Sequence, residues 1–392
     1  MSIHQPFTCE ENTVKVKAHK LFNEHYDNWL SEIEDHWNYR DMLAYERLRK
    51  YYISFDGVLA DPDSDLVYVG ITSFNADIFR AFDRKTGEFR DLGYARIADP
   101  FDAKFHRALL KSRDGHIYGA IALLHDVDDY WNAPGGAIVR YNPKTGELKK
   151  IGIPVPHVYI QGMVIDENRR IAYCQTFTPE YLAAFNLDTC ESRILGLTGS
   201  GLGMGQGETI ALDYKGRIWG GWGITRAWQQ NGVGLDQNRL YRYDPEKDKI
   251  EFFKHGLPLL EGRYGFAGMD GIIAASNHML YAGTGEGGLV RIDPDTAEVK
   301  LLGAPCPPKR IAAFAEGRDG FLYGIGGRFG NASLFRLDLS TDTYEFIGKL
   351  YDPELGVSAW QIHDMSIAPD GAIFAGENDT MTRSGYLWEI KL

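Results

Sequence analysis

Basic residues are the minority charge in this chain: 42 lysines and arginines against 54 aspartates and glutamates, a formal charge of −12 over 392 residues. No run of Lys and Arg breaks that balance. A protein that grips a nucleic-acid backbone needs such a cluster to release counterions, so nucleic acid is excluded as a partner. Long apolar stretches are missing too. Those present are strand-sized, short of the roughly 20 residues that cross a bilayer as a helix, so no membrane partner is expected. The opening segment MSIHQPFTCEENTVKVKAHK has neither the apolar centre nor the small-residue cleavage pattern of an export signal, and the reading is of a cytoplasmic protein. Cysteine is scarce: Cys9, Cys174, Cys190 and Cys306 lie far apart, with no CxxC and no histidine at zinc-finger spacing. They read as free thiols in a reducing compartment. The segment from Ala18 to Lys50 contains neither glycine nor proline, is rich in Leu, Glu, His, Trp and Tyr, and reads as one or two helices.

What fills the rest is a repeat. An apolar strand ends in Asp or Asn, a tight polar turn follows, and a second strand leaves it. The copies are IFRAFDRKTGEFRDL (78–92), AIVRYNPKTGELKKI (137–151), LAAFNLDTCESRIL (182–195), RLYRYDPEKDKIEFF (239–253), GLVRIDPDTAEVKLL (288–302) and SLFRLDLSTDTYEFI (333–347). Their turn residues Asp83, Asn142, Asn186, Asp244, Asp293 and Asp338 are spaced 44 to 59 positions apart. Asn and Asp suit such turns because their side chains bond their own backbone. A second hairpin precedes each copy, with turns such as RDGHIYGA (113–120) and PDGAIFAG (369–376). Four strands in about 50 residues is the anatomy of a propeller blade. A seventh copy, GYLWEIKL (385–392), stops before its turn. The sequence therefore predicts an all-β, seven-bladed β-propeller over 51–392, preceded at 1–50 by a closing strand and a helical segment. The candidate for the missing outer strand of blade 7 is Thr13–Lys17, with Arg49–Ile53 second. The helices would then lie on the face that carries the site.

Propeller geometry says where that site should be. The innermost strand of each blade, strand a, lines the axis and begins on the face where the long b–c loops open. Here those loops are irregular and aromatic, whereas the opposite face carries short turns, which makes the b–c face the functional one. The residues opening strand a are Asp56 (blade 1), His106 and Arg107 (blade 2), Gln161 (blade 3), and Gln206 and Glu208 (blade 4). Blade 5 adds Asp270, preceded by Arg263 and Tyr264; blade 6 adds Lys309 and Arg310; blade 7 adds Gln361, His363 and Asp364. His157 is a further candidate from the start of blade 3. A bland alternative is that these groups only hydrate the strand ends, and that Asp56 and Asp270, each before a glycine, form turns. Mixed histidines, arginines and carboxylates converging on one point favour function, because their ionisations push one another apart. Trp131, Trp222, Trp228 and Trp360 on the same face offer flat rings for a sugar, with Gln161, Glu208, Arg263 and His157 available to its hydroxyls.

With blade number and the axial His, Arg and Tyr in hand, the propeller resembles the seven-bladed propeller lyases. These include enzymes acting on uronate-containing glycans and the streptogramin lyases. The resemblance covers roughly 51–392 and implies β-elimination on an oligosaccharide at the axial pocket, without an organic cofactor. Such chemistry needs a neutraliser for the uronate carboxylate, a base for the adjacent C–H and an acid for the leaving oxygen. Arg107 and Arg310 suit the first role, His106 or His363 the second and Tyr264 the third. One divalent ion (Ca, Mn or Zn), held by His363, His106 and one of Asp56, Glu208 or Asp270, could replace an arginine. A glycoside hydrolase using paired carboxylates and a non-catalytic binding scaffold are the alternatives.

Overall fold

The structure is a computed structural model and describes residues 15–28, 39–75, 77–177, 179–199, 207–223, 239–261, 268–306 and 310–392. Seven blades surround one axis. Blade 1 comprises strands a to d at Ser54–Ala60, Leu66–Thr72, Phe79–Asp83 and Glu88–Asp91. Blade 3 (Tyr159–Asp166, Ile171–Phe177, Glu180–Asn186, Ser192–Gly199) and blade 6 (Ile311–Glu316, Phe321–Gly326, Ser333–Asp338, Thr343–Lys349) are equally regular. In blade 2 strand a is split into Asp102–Phe105 and Leu110–Lys111, and its first piece also touches blade 1 through Thr72 and Lys104.

Burial explains why the inner strands read as apolar runs. Blade faces pack on each other, so both sides of strand b are covered; every residue of Ile117–Leu123 is buried. The outermost strands face water, and Lys249–Gly256 of blade 4 is largely exposed. The core is accordingly a ring of separate inter-blade clusters. Phe79, Phe105 and Tyr141 join blades 1 and 2, while Ile325, Leu334, Ile362 and Trp388 join blades 6 and 7.

The ring closes through the N-terminus. Lys15–Lys20 pairs antiparallel with Tyr386–Lys391 as strand d of blade 7, in register from Lys15↔Lys391 to Lys20↔Tyr386. Val16 and Ala18 point inward, and the Ala18 N–H donates to the Asp352 carboxylate at 2.8 Å. The strand thus runs three residues past the expected Thr13–Lys17, and residues 13 and 14 lie outside the described set. His19, expected on a helix, is in this strand; it bonds Glu389 at 2.9 Å and packs on Phe82. An available sheet edge outweighs a glycine-free composition. Described helix begins only at Tyr39–Ala44 and continues at Glu46–Tyr51. Met42, Leu48 and Tyr52 pack against Phe74 and Met381, which belong to the b–c loops of blades 1 and 7. This segment therefore sits on the b–c face. Trp29, His36 and Trp37 lie outside the described residues, as does the side chain of Arg40.

Candidate active site at the axial mouth

A local irregularity aims the site residues. Pairing of strands a and b skips one residue between Phe55 and Gly57, Ile160 and Gly162, Met269 and Gly271, and Ile362 and Asp364. The skipped residues are Asp56, Gln161, Asp270 and His363. Each is the extra residue of a β-bulge, a device that bends a strand and redirects a side chain. The Asp-Gly pairs are thus bulges rather than turns. At Gly271 a Cβ would collide with the Ala312 carbonyl of blade 6, so glycine there allows two blades to approach. In blade 2 the break in strand a carries His106 and Arg107.

These side chains meet beside a cavity of about 710 Å³ lined by Lys104, His106, Tyr159, Gln161, Glu208, Asp270, Arg310, Arg328, Trp360 and His363, among others. The two imidazoles lie edge to face, with centroids 4.6 Å apart and planes at 80°. Their partners differ. His106 Nδ1 contacts the Gln161 carbonyl oxygen, so that nitrogen carries the proton and Nε2 keeps its lone pair. His363 Nδ1 is 2.7 Å from Asp56 and Nε2 is 3.2 Å from Glu208. A ring between two carboxylates donates to both only as an imidazolium. Burial holds the His106 pKa well below the ordinary imidazole range, and the Lys104 and His363 charges add to the effect.

Carboxylates and cations are interlocked around the pair. Burial disfavours the Asp56 anion, yet Lys104 at 3.1 Å and His363 more than offset it and hold the carboxyl below its usual range. Thr72 adds a hydroxyl donor to Asp56 at 2.5 Å. Glu208 is partly buried; desolvation disfavours its anion, but Arg107, at 2.9 Å, and Arg310, at 3.3 Å, drive its carboxyl well below the usual range. Arg310 grips Asp270 through Nε at 3.0 Å and Nη2 at 2.7 Å. Arg107 also donates to the Asp270 backbone carbonyl.

Several sequence expectations change here. Arg107 and Arg310 come together, but internal carboxylates already occupy them. Asp56 is fully buried behind His363, and Asp270 is saturated by Arg310, so neither fits the expected metal set. Of the three expected sets, the one the structure brings together is His106, Glu208 and His363, with ligand atoms within 4.8 Å of one another. The chemistry of the set fits a divalent cation: His363 is backed by Asp56, the usual outer partner of a metal-bound imidazole. Trp360 and Gln161 line the cavity. Trp222 does not; its indole N–H donates to the Phe253 carbonyl at 3.0 Å and its ring packs on Phe252. Trp131 is 76% exposed on the rim, against His157 at 5.3 Å, and His157 bonds the Ala133 carbonyl rather than the cavity. Asp364 accepts the Val58 N–H at 2.8 Å, stitching blade 7 to blade 1. Gln206, Trp228, Arg263, Tyr264 and Lys309 lie outside the described residues.

Lys104, Tyr159 and Arg328 are among the lining residues that escaped the sequence reading. Lys104 stands two positions before His106. Tyr159 keeps its proton strongly, its pKa pushed well up by burial and by Glu208. Arg328 comes from the b–c loop of blade 6.

The sequence matches no protein-family model and no curated relative. The fold does have solved neighbours. A catalytically inactive variant of virginiamycin B lyase from Staphylococcus aureus, crystallised with quinupristin, superposes with a TM-score of 0.61 at 15% identity, covering 97% of this chain and 99% of that one. A streptogramin B lyase structure matches with a TM-score of 0.58 at 15% identity, over 87% and 98% of the two chains. The extracellular domain of a putative hybrid two-component system from B. thetaiotaomicron matches with a TM-score of 0.54 at 14% identity, over 86% of this chain and 38% of that one. At these identities the likeness establishes the propeller fold and nothing of the substrate.

Proposed function

We propose that the axial pocket is the active site of a carbon–oxygen lyase that cleaves a uronate-containing oligosaccharide by β-elimination. The observation that carries this reading is the histidine pair, two touching imidazoles with opposite partners at one cavity wall. His106 Nε2 takes the proton from the carbon next to the carboxylate. That C–H electron pair becomes the new C=C bond, the bond to the leaving oxygen breaks, and His363 Nε2–H protonates that oxygen. The proton gained by His106 then returns to His363, and no oxidant or reductant is consumed. Tyr159, firmly protonated, is a second donor in the same cavity. A divalent ion held by His106, Glu208 and His363 would occupy both Nε2 atoms, so it would be an alternative to this proton transfer, supplying a Lewis acid for the substrate carboxylate and leaving Tyr159 as the donor. Paired-carboxylate hydrolysis fits less well, because Glu208 and Asp270 are bound by arginines while Asp56 and Asp364 are occupied behind the surface.

The test is a screen of uronate-containing oligosaccharides, followed by ultraviolet absorbance of the conjugated unsaturated product, which hydrolysis cannot form. On an active substrate, His106→Ala and His363→Ala should each lower kcat at least ~10²-fold. His116→Ala, in a turn on the opposite face, should leave it unchanged. Near-full turnover by both axial variants would remove the active site from the axis. Activity that survives exhaustive chelation and carries no stoichiometric metal would settle for proton transfer alone.

A further inference from the structure

We propose that Arg328 is the residue that receives the substrate's free carboxylate and so sets the preference of this pocket for an acid over its neutral derivatives; this rests on the lyase reading above. Among the described residues, Lys104, Arg310 and Arg328 line the cavity, Arg107 stands beside Glu208, and all but Arg328 are paired with carboxylates. Lys104 meets Asp56, Arg107 meets Glu208, and Arg310 meets both Asp270 and Glu208. Arg328 differs. Its Nε donates to the Gln361 side-chain oxygen at 2.6 Å, and among the described residues no carboxylate lies within ion-pair distance of it.

The guanidinium is also held in place. Gln361 is fully buried and anchored in turn on Asp379 at 3.2 Å. On the other side the charge stands over the Phe329 ring, 5.2 Å from its centroid. The flanking backbone is constrained: Gly327 has φ 103° and Phe329 has φ 55°, a left-handed conformation that a phenylalanine rarely adopts. Strain of this kind collects at ligand clamps. With Nε tied to Gln361, the two terminal nitrogens form a planar fork with no acceptor among the described residues, the shape that takes a carboxylate through two parallel bonds. Burial and the neighbouring Arg310 work against the Arg328 charge more than the carboxylates of Asp270, Asp379 and Glu208 support it at longer range, so a directly bonded anion is favoured there. Trp360 lines the cavity nearby, T-shaped on Phe329, and Gln161 offers a buried side-chain oxygen with no donor among the described residues. A fork, a ring and an acceptor together suit a polyhydroxylated acid.

The experiment is calorimetric binding of a glucuronate-containing disaccharide and of its methyl ester to the wild-type protein, Arg328→Gln and Arg328→Lys, with thermal melts confirming that each variant is folded. The wild type should bind the acid on the order of 30-fold more tightly than the ester, the value of a charge-assisted pair of bonds. Arg328→Gln should erase that gap by weakening the acid alone, and Arg328→Lys should restore part of it. Equal binding of acid and ester by the wild type, a gap that persists in Arg328→Gln, or no binding of either ligand would each overturn the proposal. An Arg328-dependent gap without turnover would defeat the lyase reading while leaving this assignment standing. Turnover with an unchanged acid preference in Arg328→Gln would do the reverse.

Discussion

His106, His363, Gln161, Glu208 and Asp270 could be found from the sequence because each opens a strand a, and strand order alone puts such residues at an axis. Lys104 and Arg328 could not. The first sits on a strand whose break is invisible before the blades are packed, and the second on a loop between two left-handed residues. At this scale the arginine ledger carries a prediction. Asp270 satisfies Arg310 with two bonds, and both side chains are buried. Asp270→Ala should therefore lower unfolding free energy by about 3–5 kcal/mol, the usual cost of stranding a buried charge, measured from urea midpoints. Asp270→Leu combined with Arg310→Met should recover much of that loss. A single variant as stable as wild type would mean that Glu208 alone satisfies the Arg310 charge.

Single strands decide closure. Blade 7 has only three strands of its own, and Lys15–Lys20 covers the edge that Tyr386–Lys391 would otherwise expose. Removing residues 1–20 should lower the melting temperature of the whole propeller and promote association through the bare edge. The checks are calorimetry and light scattering, and unchanged melting in a monomeric truncated protein would contradict the role of this strand. The sequence showed that a strand was missing, because the seventh copy breaks off. Its end at Lys20 was not legible: Val16 and Ala18 continue an alternation that becomes meaningful only against Ile390 and Trp388. The bulges were hidden for a related reason. An Asp-Gly pair has the same letters in a turn and in a bulge, and only the partner strand distinguishes them.

Across the whole molecule, tyrosines wedged between blades couple the fold to alkaline pH. Burial pushes Tyr173, Tyr281 and Tyr323 up to about 12. In the unfolded chain such phenols ionise near ~10. Between those values the folded protein holds protons that the unfolded chain has lost, so stability falls as pH rises. The melting temperature should be level up to about pH 9 and decline steadily above pH 10. Tyr173→Phe, which deletes one such proton, should flatten the decline. A melting temperature independent of pH over that range would show that the phenols are hydrated in the fold.

By itself the sequence determined the blade count, the four-strand unit, the missing edge and which residues open the inner strands at the axis, because all of these follow from periodicity and chain order. Tertiary structure alone decided which charges in that ring are free. Arg107 and Arg328 are the same residue type near the same mouth, yet Glu208 occupies the first and no described carboxylate reaches the second. The physical reason is that pairing depends on distances of a few ångströms between blades that are remote in the chain. A repeat pattern places strands around an axis without fixing those distances.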